Sequence, residues 1–164
     1  MVVKIFVESP NLFADSPFNI RITGLHPYQE ATVRMISRDY YNINTSMALS
    51  PDTIWQSQAI FLTNAKGSIS LNKTPAISGS YTGVSEMGLF FNLQPTSQEK
   101  KKLSKNIKNI PLFSSFHLQI QVIQKEEILE EIQFERYYLD PDTNYHEVQF
   151  KQAIGRLFCR KNQQ

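Results

Sequence analysis

The chain has 164 residues, of which 41% are hydrophobic, 12% aromatic and 20% charged, and its net charge is +2. This is the composition of a globular protein whose core needs no disulfide or metal, and so small a charge gives no argument for binding nucleic acid or a membrane surface. Cys159 is the single cysteine, so an intrachain disulfide and a cysteine-based metal site are excluded.

The hydropathy pattern predicts a cytoplasmic protein. Residues 1–8 read MVVKIFVE and lack the basic start, apolar stretch and cleavage site of a signal peptide. No stretch approaches the roughly 18 apolar residues that a membrane helix requires. We therefore expect one domain over residues 1–164 and no contact with a membrane.

Alternation of apolar and polar residues predicts four main strands. They are Phe18–Thr23, Ala31–Met35, Trp55–Phe61 and Phe116–Val122, each with every second residue apolar or small. One buried and one wet face per strand is typical of antiparallel sheets. Trp55 shares a face with Phe61, so we expect its side chain in the core between two sheets.

Shorter strands are predicted at Ser68–Leu71, Gly88–Leu93 and Val148–Phe150, between turn signals at 24–27, 64–67 and 140–142. Glu126–Phe134 suits a helix or a strand, and a strand after a hairpin turn at 125–127 is preferred. Short strands separated by turns predict an all-β fold, a sandwich of two antiparallel sheets.

A hydrolase nucleophile has a recognisable sequence context, and this chain lacks it. The pentapeptide G-x-S-x-G is absent. Residues 79–83 have glycines at the right spacing, but Tyr81 stands at the nucleophile position. A tight turn between strands is the preferred interpretation. The segment also lacks the lysine of a phosphate-binding loop. We predict no catalytic residue.

The remaining chemical candidates are scattered. His26, His117 and His146 are far apart, and we predict no metal site and no bound cofactor. Arg156 and Arg160 flank Cys159 and could lower the pKa of its thiol. An inert cysteine in an apolar terminal strand is the preferred interpretation.

Lysines cluster from Lys100 to Lys108, in a stretch that suits a loop or one helical turn. Such a cluster could attract a phosphorylated ligand such as a coenzyme. A solvated loop is the more common meaning of such a run, and the role of the cluster stays open.

One block is much more specific. Trp55-x-Ser57-x-Ala59-x-Phe61 is followed by Gly67-x-Ile69-Ser70-Leu71, by Gly79-Ser80-Tyr81-Thr82-Gly83-Val84 and by Met87-Gly88-Leu89-Phe90. This block resembles the N-terminal domain of the acyl-CoA thioester hydrolases and bile acid-CoA:amino acid N-acyltransferases. The flanks are similar too, at Gly24-Leu25-x-Pro27, at Glu135-Arg136-Tyr137-Tyr138-Leu139 and at Gly155-x-Leu157-Phe158, with which that domain hands over to the next.

The resemblance implies an immunoglobulin-like sandwich that precedes an α/β-hydrolase domain. In that domain a serine or cysteine nucleophile, with histidine and aspartate, attacks the acyl-CoA thioester, and water or an amino acid accepts the acyl group. Acyl-CoA would then be bound only through the hydrolase domain, and no catalytic position carries over to this chain. Acyl-chain length and the choice of acceptor stay open.

We expect the segment 79–91 to form part of the surface that meets the hydrolase domain, through Tyr81, Val84, Met87 and Leu89. Such a patch, left uncovered, would cause weak homodimerisation. Alternatively these side chains fill the end of the sandwich's own core. A free-standing interaction or carbohydrate-binding module is the alternative function, and it would need an exposed aromatic row, for which Tyr40, Tyr41, Phe90 and Phe91 are the candidates.

Overall fold

The computed structural model describes residues 2–9, 11–40, 53–96, 115–151 and 153–160. The elements follow one another as Lys4–Glu8 (β1), Asn19–Thr23 (β2), Glu30–Ser37 (β3), Trp55–Leu62 (β4), Ile69–Ser70 (β5), Ala76–Gly79 (β6), Gly88–Phe91 (α1), Gln94–Pro95 (β7), Ser115–Gln124 (β8), Glu127–Tyr137 (β9), Thr143–Phe150 (β10) and Ala153–Arg160 (β11). The prediction of an all-β fold is confirmed. In the described ranges no helix is long and apolar enough to span a membrane.

The strands form two facing sheets and a separate hairpin. The small sheet has the order β1-β2-β5, and the large sheet has the order β6-β4-β3-β8-β9 with β7 beside β4. All their pairings are antiparallel. Strands β10 and β11 pair with each other in a two-stranded sheet. The two larger sheets make a β-sandwich.

The pairing register of the large sheet explains why the alternation of apolar and polar residues predicted its strands correctly. Val33 lies opposite Ala59 on one side and Val122 on the other, and all three are fully buried. Residues opposite each other share a face of the sheet, so one row of the large sheet is apolar across three strands. Trp55 is buried in the same core, as its position on that face predicts.

The core is a single cluster between the two sheets. The small sheet contributes isoleucines, and the large sheet contributes aliphatic and aromatic side chains that include Phe61 and Phe116. The outer face of the large sheet is polar, because the neighbouring row of the same strands runs Gln58, Arg34, Gln121 and Glu131. The large sheet therefore has an apolar face toward the core and a polar face toward solvent, which is called its wet side below.

The predicted hairpin near residue 125 is confirmed, with a shorter turn than expected. Gln124 pairs with Glu127, so only Lys125 and Glu126 lie in the turn. Both have positive φ, at 52° and 67°, the conformation of a two-residue type I′ turn. Strand β9 begins at once and continues to Tyr137, which settles the choice of strand over helix.

The prediction of a strand at Gly88–Leu93 is wrong. Gly88–Phe91 is one helical turn, closed by the Phe91 N–H donating to the Met87 carbonyl at 2.9 Å and by Asn92 Nδ2 donating to the Gly88 carbonyl at 2.8 Å. Leu89, Phe90 and Phe91 are consecutive apolar residues without alternation, so the period-two argument had no basis here. Asn92 closes this turn at its C-terminal end.

Candidate functional site

The glycine loop, defined here as Gly79–Phe91, connects β6 to the end of α1. Gly79 has φ +119°, and a Cβ at this position would lie 2.3 Å from the Gln58 carbonyl oxygen. Gly83 has φ +84°, and its backbone exchanges two hydrogen bonds with Ala76. Residues 79–83 thus lead from β6 to an isolated antiparallel bridge between Ala76 and Gly83, and not to a further strand as a turn between strands would. Glycine is required at Gly79, where the chain passes against β4.

Two of the four side chains assigned to an interdomain surface lie in the core. Leu89 is 0% exposed and Met87 is 7% exposed. The Met87 sulfur accepts a hydrogen bond from the Phe18 N–H at 3.4 Å, and the Leu89 carbonyl accepts one from Ser57 Oγ at 2.6 Å. Their burial matches the alternative in which the loop fills the end of the sandwich's own core, so Met87 and Leu89 offer no surface to a partner.

Tyr81 closes the loop from inside. Its ring lies against Gly88, where a Cβ would come within 2.4 Å of Tyr81 Cζ, and its hydroxyl donates to the Ser85 carbonyl at 3.3 Å. Burial raises the pKa of Tyr81 to about 12, which makes ionisation of its phenol harder than that of an exposed tyrosine. The exposed apolar side chains of the loop are Val84, 54% exposed, and Phe91, 73% exposed.

The structure brings His117 to an acidic partner that sequence reasoning missed. Nδ1 of His117 lies 2.8 Å from Asp39 Oδ2, and the His117 N–H donates to Asp39 Oδ1 at 2.9 Å. The pair borders a shallow cavity of about 160 Å³ on the wet side of the large sheet, with Arg38, Gln119 and Gln133 in its wall. His117 is half exposed, as its position on the polar face predicted.

An aspartate beside a histidine provides two of the three members of a catalytic triad, so the position of the nearby Ser37 hydroxyl matters. Ser37 Oγ donates to the His117 carbonyl at 2.7 Å and lies 3.2 Å from Asp39 Oδ1. The hydroxyl is therefore bonded to the carboxylate and the backbone and does not face the far ring nitrogen, where a nucleophile must lie. Asp39 and Ser37 fasten the exit of β3 to β8.

Arg136 is the most unusual polar residue of the sandwich, and sequence reasoning missed its role. It is fully buried. Nη1 donates to Ser9 Oγ and to the Asn11 carbonyl, both at 3.1 Å, and Nη2 donates to the Ser16 carbonyl at 2.5 Å and to the Phe13 carbonyl. Burial lowers the pKa of Arg136. The guanidinium holds Ser9 and the segment 11–16 against β9.

The alternation of side chains along β9 already indicated that Arg136 points inward. Ile132 and Phe134 pack against the core from β9 at every second position, and Arg136 is the next residue in that register. The position predicted an inward side chain, whereas the charge suggested an outward one. The Phe18 ring, 4.9 Å from the guanidinium carbon, and the carbonyls of the neighbouring segment make the buried charge tolerable.

The other candidates do not gather into a site. His26 and His146 are exposed, and Cys159 is half-buried in β11, the predicted terminal strand. Among the residues with described positions, no three His, Cys, Asp or Glu side chains form a group that could hold a metal ion. Residues Lys100 to Lys108 and Tyr41 lie outside the described ranges. Tyr40 and Phe90 pack against the core, which removes them from an exposed aromatic row.

Comparison with known proteins supplies the identity that the geometry alone does not. Residues 15–150 match the family model described as "Acyl-CoA thioester hydrolase/BAAT N-terminal region". The chain is 31% identical to mouse Acyl-coenzyme A amino acid N-acyltransferase 1, over 96% of this chain and 36% of the relative. It is 26% identical to human Bile acid-CoA:amino acid N-acyltransferase, over 96% and 36%.

It is also 26% identical to human Acyl-coenzyme A thioesterase 2, mitochondrial, over 88% of this chain and 28% of the relative. The chain thus spans about a third of the length of the curated relatives that it matches. Because the family model covers most of the chain, from the segment held by Arg136 to the end of β10, the chain belongs to the acyl-CoA thioester hydrolase/BAAT family, in its N-terminal region.

Proposed function

We propose that this chain is the non-catalytic N-terminal domain of an acyl-CoA thioesterase or acyltransferase. The thioester chemistry belongs to an α/β-hydrolase domain of the same parent protein, which also binds acyl-CoA. One observation carries the proposal, namely the match of residues 15–150 to the N-terminal region of this family. The relatives are named for acyl transfer or thioester hydrolysis, and the chain corresponds to only about a third of each.

The geometry of the described residues agrees with a non-catalytic role. The Ser37 hydroxyl donates to the His117 carbonyl, and the Tyr81 hydroxyl donates to the Ser85 carbonyl inside its loop. Further parts of the proposal are an immunoglobulin-like arrangement of the sandwich, a cytoplasmic location and weak homodimerisation. One relative is named as mitochondrial, so location is best established for the parent protein itself.

A pair of assays tests the proposal. The 164-residue chain should release no thiol from palmitoyl-CoA or from shorter acyl-CoAs, with Tyr81→Ala and Cys159→Ala as control variants. Turnover that either substitution abolishes would assign catalysis to this chain and refute the proposal.

The second assay uses a chimera in which the chain replaces the matching region of mouse Acyl-coenzyme A amino acid N-acyltransferase 1. The chimera should turn over acyl-CoA, whereas the mouse protein without that region should be less stable and less active. A chimera that is folded but inactive would show that this chain does not serve as the partner of such a catalytic domain.

A further inference from the structure

A cleft of about 390 Å³ opens where the chain leaves β9. Its walls come from two segments, the turn that precedes β2 and the end of β9 with the residues that follow it. The lining includes Phe13, Asp15, Tyr137, Tyr138, Leu139 and Asp140. None of the described residues that line the cleft is a lysine, an arginine or a histidine. The cleft therefore combines aromatic rings with carboxylates and has no cation in its walls.

Two of the aromatic rings lie on the same face of the large sheet. The Tyr137 N–H donates to the Leu12 carbonyl at 2.9 Å, and the Ala14 N–H donates to the Tyr137 carbonyl at 2.8 Å. These bonds make a parallel bridge between Phe13 and Tyr137, and bridged residues direct their side chains to the same face. Both rings therefore border the cleft from one side.

Polar contacts fix both rings in advance. The Tyr137 hydroxyl donates to Glu135 Oε2 at 2.6 Å, and Arg136 Nη2 donates to the Phe13 carbonyl. The residues from Glu135 to Asp140 thus either line the cleft or hold a residue that does. Groups that are already held in place lose little conformational freedom when a ligand binds, so the cleft is preorganised.

Negative charge is in excess around the cleft. Asp15 and Asp140 line it, and Glu135 lies beside it on Tyr137. Asp140 Oδ1 accepts the Asp142 N–H at 2.9 Å, which orients this carboxylate. The nearby cation is Arg136, which Asp15 attracts, and its guanidinium is buried and bonded to backbone carbonyls. Three carboxylates therefore face one guanidinium, and an anionic ligand would be repelled.

We propose that this cleft binds an organic ammonium group, either that of a free amine or that of a lysine side chain on another protein. The faces of Phe13 and Tyr137 attract the positive charge through cation–π contacts. Asp15 and Asp140 supply the opposite charge. The inference goes beyond the proposed function and does not depend on it, because the cleft lies on the sandwich and involves no catalytic domain.

A titration followed by NMR tests the inference on the 164-residue chain. The probes are choline and n-butylammonium. Their controls are the uncharged alcohol in which carbon replaces the choline nitrogen, 1-butanol, and sodium chloride at the same concentration. Both cations should shift the amide signals of residues 13–15 and 137–140 in a saturable way, with a Kd in the millimolar range. No saturable shift with either cation, or equal shifts with the uncharged alcohols, would overturn the inference.

Substitutions at Tyr137 test the role of its ring. Tyr137→Leu keeps an apolar side chain but removes the aromatic face, so it should weaken the binding of both cations by about threefold or more. Tyr137→Phe is the matched control, because it keeps the ring and loses only the hydroxyl, and it should leave the affinity nearly unchanged. Equal affinities of these two variants, both with the urea midpoint of the wild-type chain, would contradict the inference.

A charge substitution decides the matter if Tyr137→Leu lowers the urea midpoint. Asp140→Asn keeps the Oδ1 acceptor for the Asp142 N–H and removes the charge, so it should weaken the binding of both cations. Glu30→Gln is the matched control, since Glu30 is an exposed carboxylate on β3 that does not line the cleft. The same affinity in both variants would overturn the inference.

The two probes also distinguish the two sources of the ammonium group. Tighter binding of choline would support a free quaternary amine, because its methyl groups contact the rings. Tighter binding of n-butylammonium, which has the length of a lysine side chain, would support a lysine on a partner protein. Similar affinities would support the ammonium chemistry that the two sources share.

Discussion

The glycine loop and the hairpin β10–β11 are both rich in apolar residues, and the structure treats them in opposite ways. The loop buries Met87 and Leu89 in the core of the sandwich, while the hairpin leaves Val148 and Leu157 about half exposed. The loop is short and irregular, whereas the hairpin has regular strands and a continuous register. Regular secondary structure is therefore not what brings a segment into the core.

The glycine loop is hydrogen-bonded to the sandwich at two points. Ser57 of β4 donates to the Leu89 carbonyl, and the Phe18 N–H beside β2 donates to the Met87 sulfur, so the loop is fastened to both sheets. The hairpin's backbone bonds, as described, join β10 to β11. These two bonds fix the backbone beside the buried Met87 and Leu89, and the following predictions perturb the polar and apolar contacts of the sandwich one at a time.

The largest effect is expected from Arg136→Met. The substitution keeps most of the aliphatic stem but removes every hydrogen bond to the segment 9–16. Bonds to a charged donor contribute about 1.5–3 kcal/mol each, so the free energy of unfolding should fall by more than about 3 kcal/mol, measured by urea denaturation. Arg34→Met is the control, since Arg34 bonds Gln58 on the wet face and should cost less than about 1 kcal/mol. A similar loss in the free energy of unfolding for both variants would contradict the stabilising role assigned to Arg136.

Leu89→Ala should be next in size. Emptying a fully buried leucine site costs about 2–5 kcal/mol, again measured by urea denaturation. The neighbouring Phe91→Ala should change stability by about 0.5 kcal/mol or less, because Phe91 is mostly exposed. If Phe91→Ala proved the more damaging of the two, the loop would be oriented with its other side inward.

Gly88→Ala should have a smaller effect. The added methyl group would meet the Tyr81 ring, which also packs edge-on against Phe61. Displacing the ring should cost about 1–3 kcal/mol. In a Tyr81→Ala background the same glycine substitution should cost clearly less, and a thermodynamic cycle measures this coupling. Additive losses would show that the ring and the glycine do not touch.

Lowering the pH should produce the smallest of these effects on stability. Hydrogen bonds from Arg21, at 2.7 Å, and Asn19, at 3.0 Å, hold the pKa of Glu8 below its ordinary value of 4.5. A depressed pKa stabilises the fold above about pH 4.5, and this contribution is lost as the pH falls through the folded-state pKa. The difference in stability between the wild-type chain and Glu8→Gln should therefore shrink below pH 4.5. A constant difference from pH 6 to pH 3 would contradict it.

The sequence alone determined the strands that carry a dry and a wet face. Alternation located the strands around Val33, Ala59 and Phe116, because every second side chain of a strand points to the same face. The family block added the expected identity. At Tyr81 the sequence placed a phenol at the position of a hydrolase nucleophile, and the structure adds that its ring packs inside the glycine loop against Gly88.

Only the tertiary structure decided which of the remaining apolar and charged residues are inside. Gly88–Phe91 became a helical turn because Asn92 closes it and Ser57 holds it, and these partners lie outside the segment or off its alternating pattern. Arg136 is buried because carbonyls from residues far earlier in the chain surround its guanidinium. Ser57 and the carbonyls around Arg136 lie far along the chain from their partners, so no local pattern reveals these contacts, and they fix where the core ends and where a surface begins.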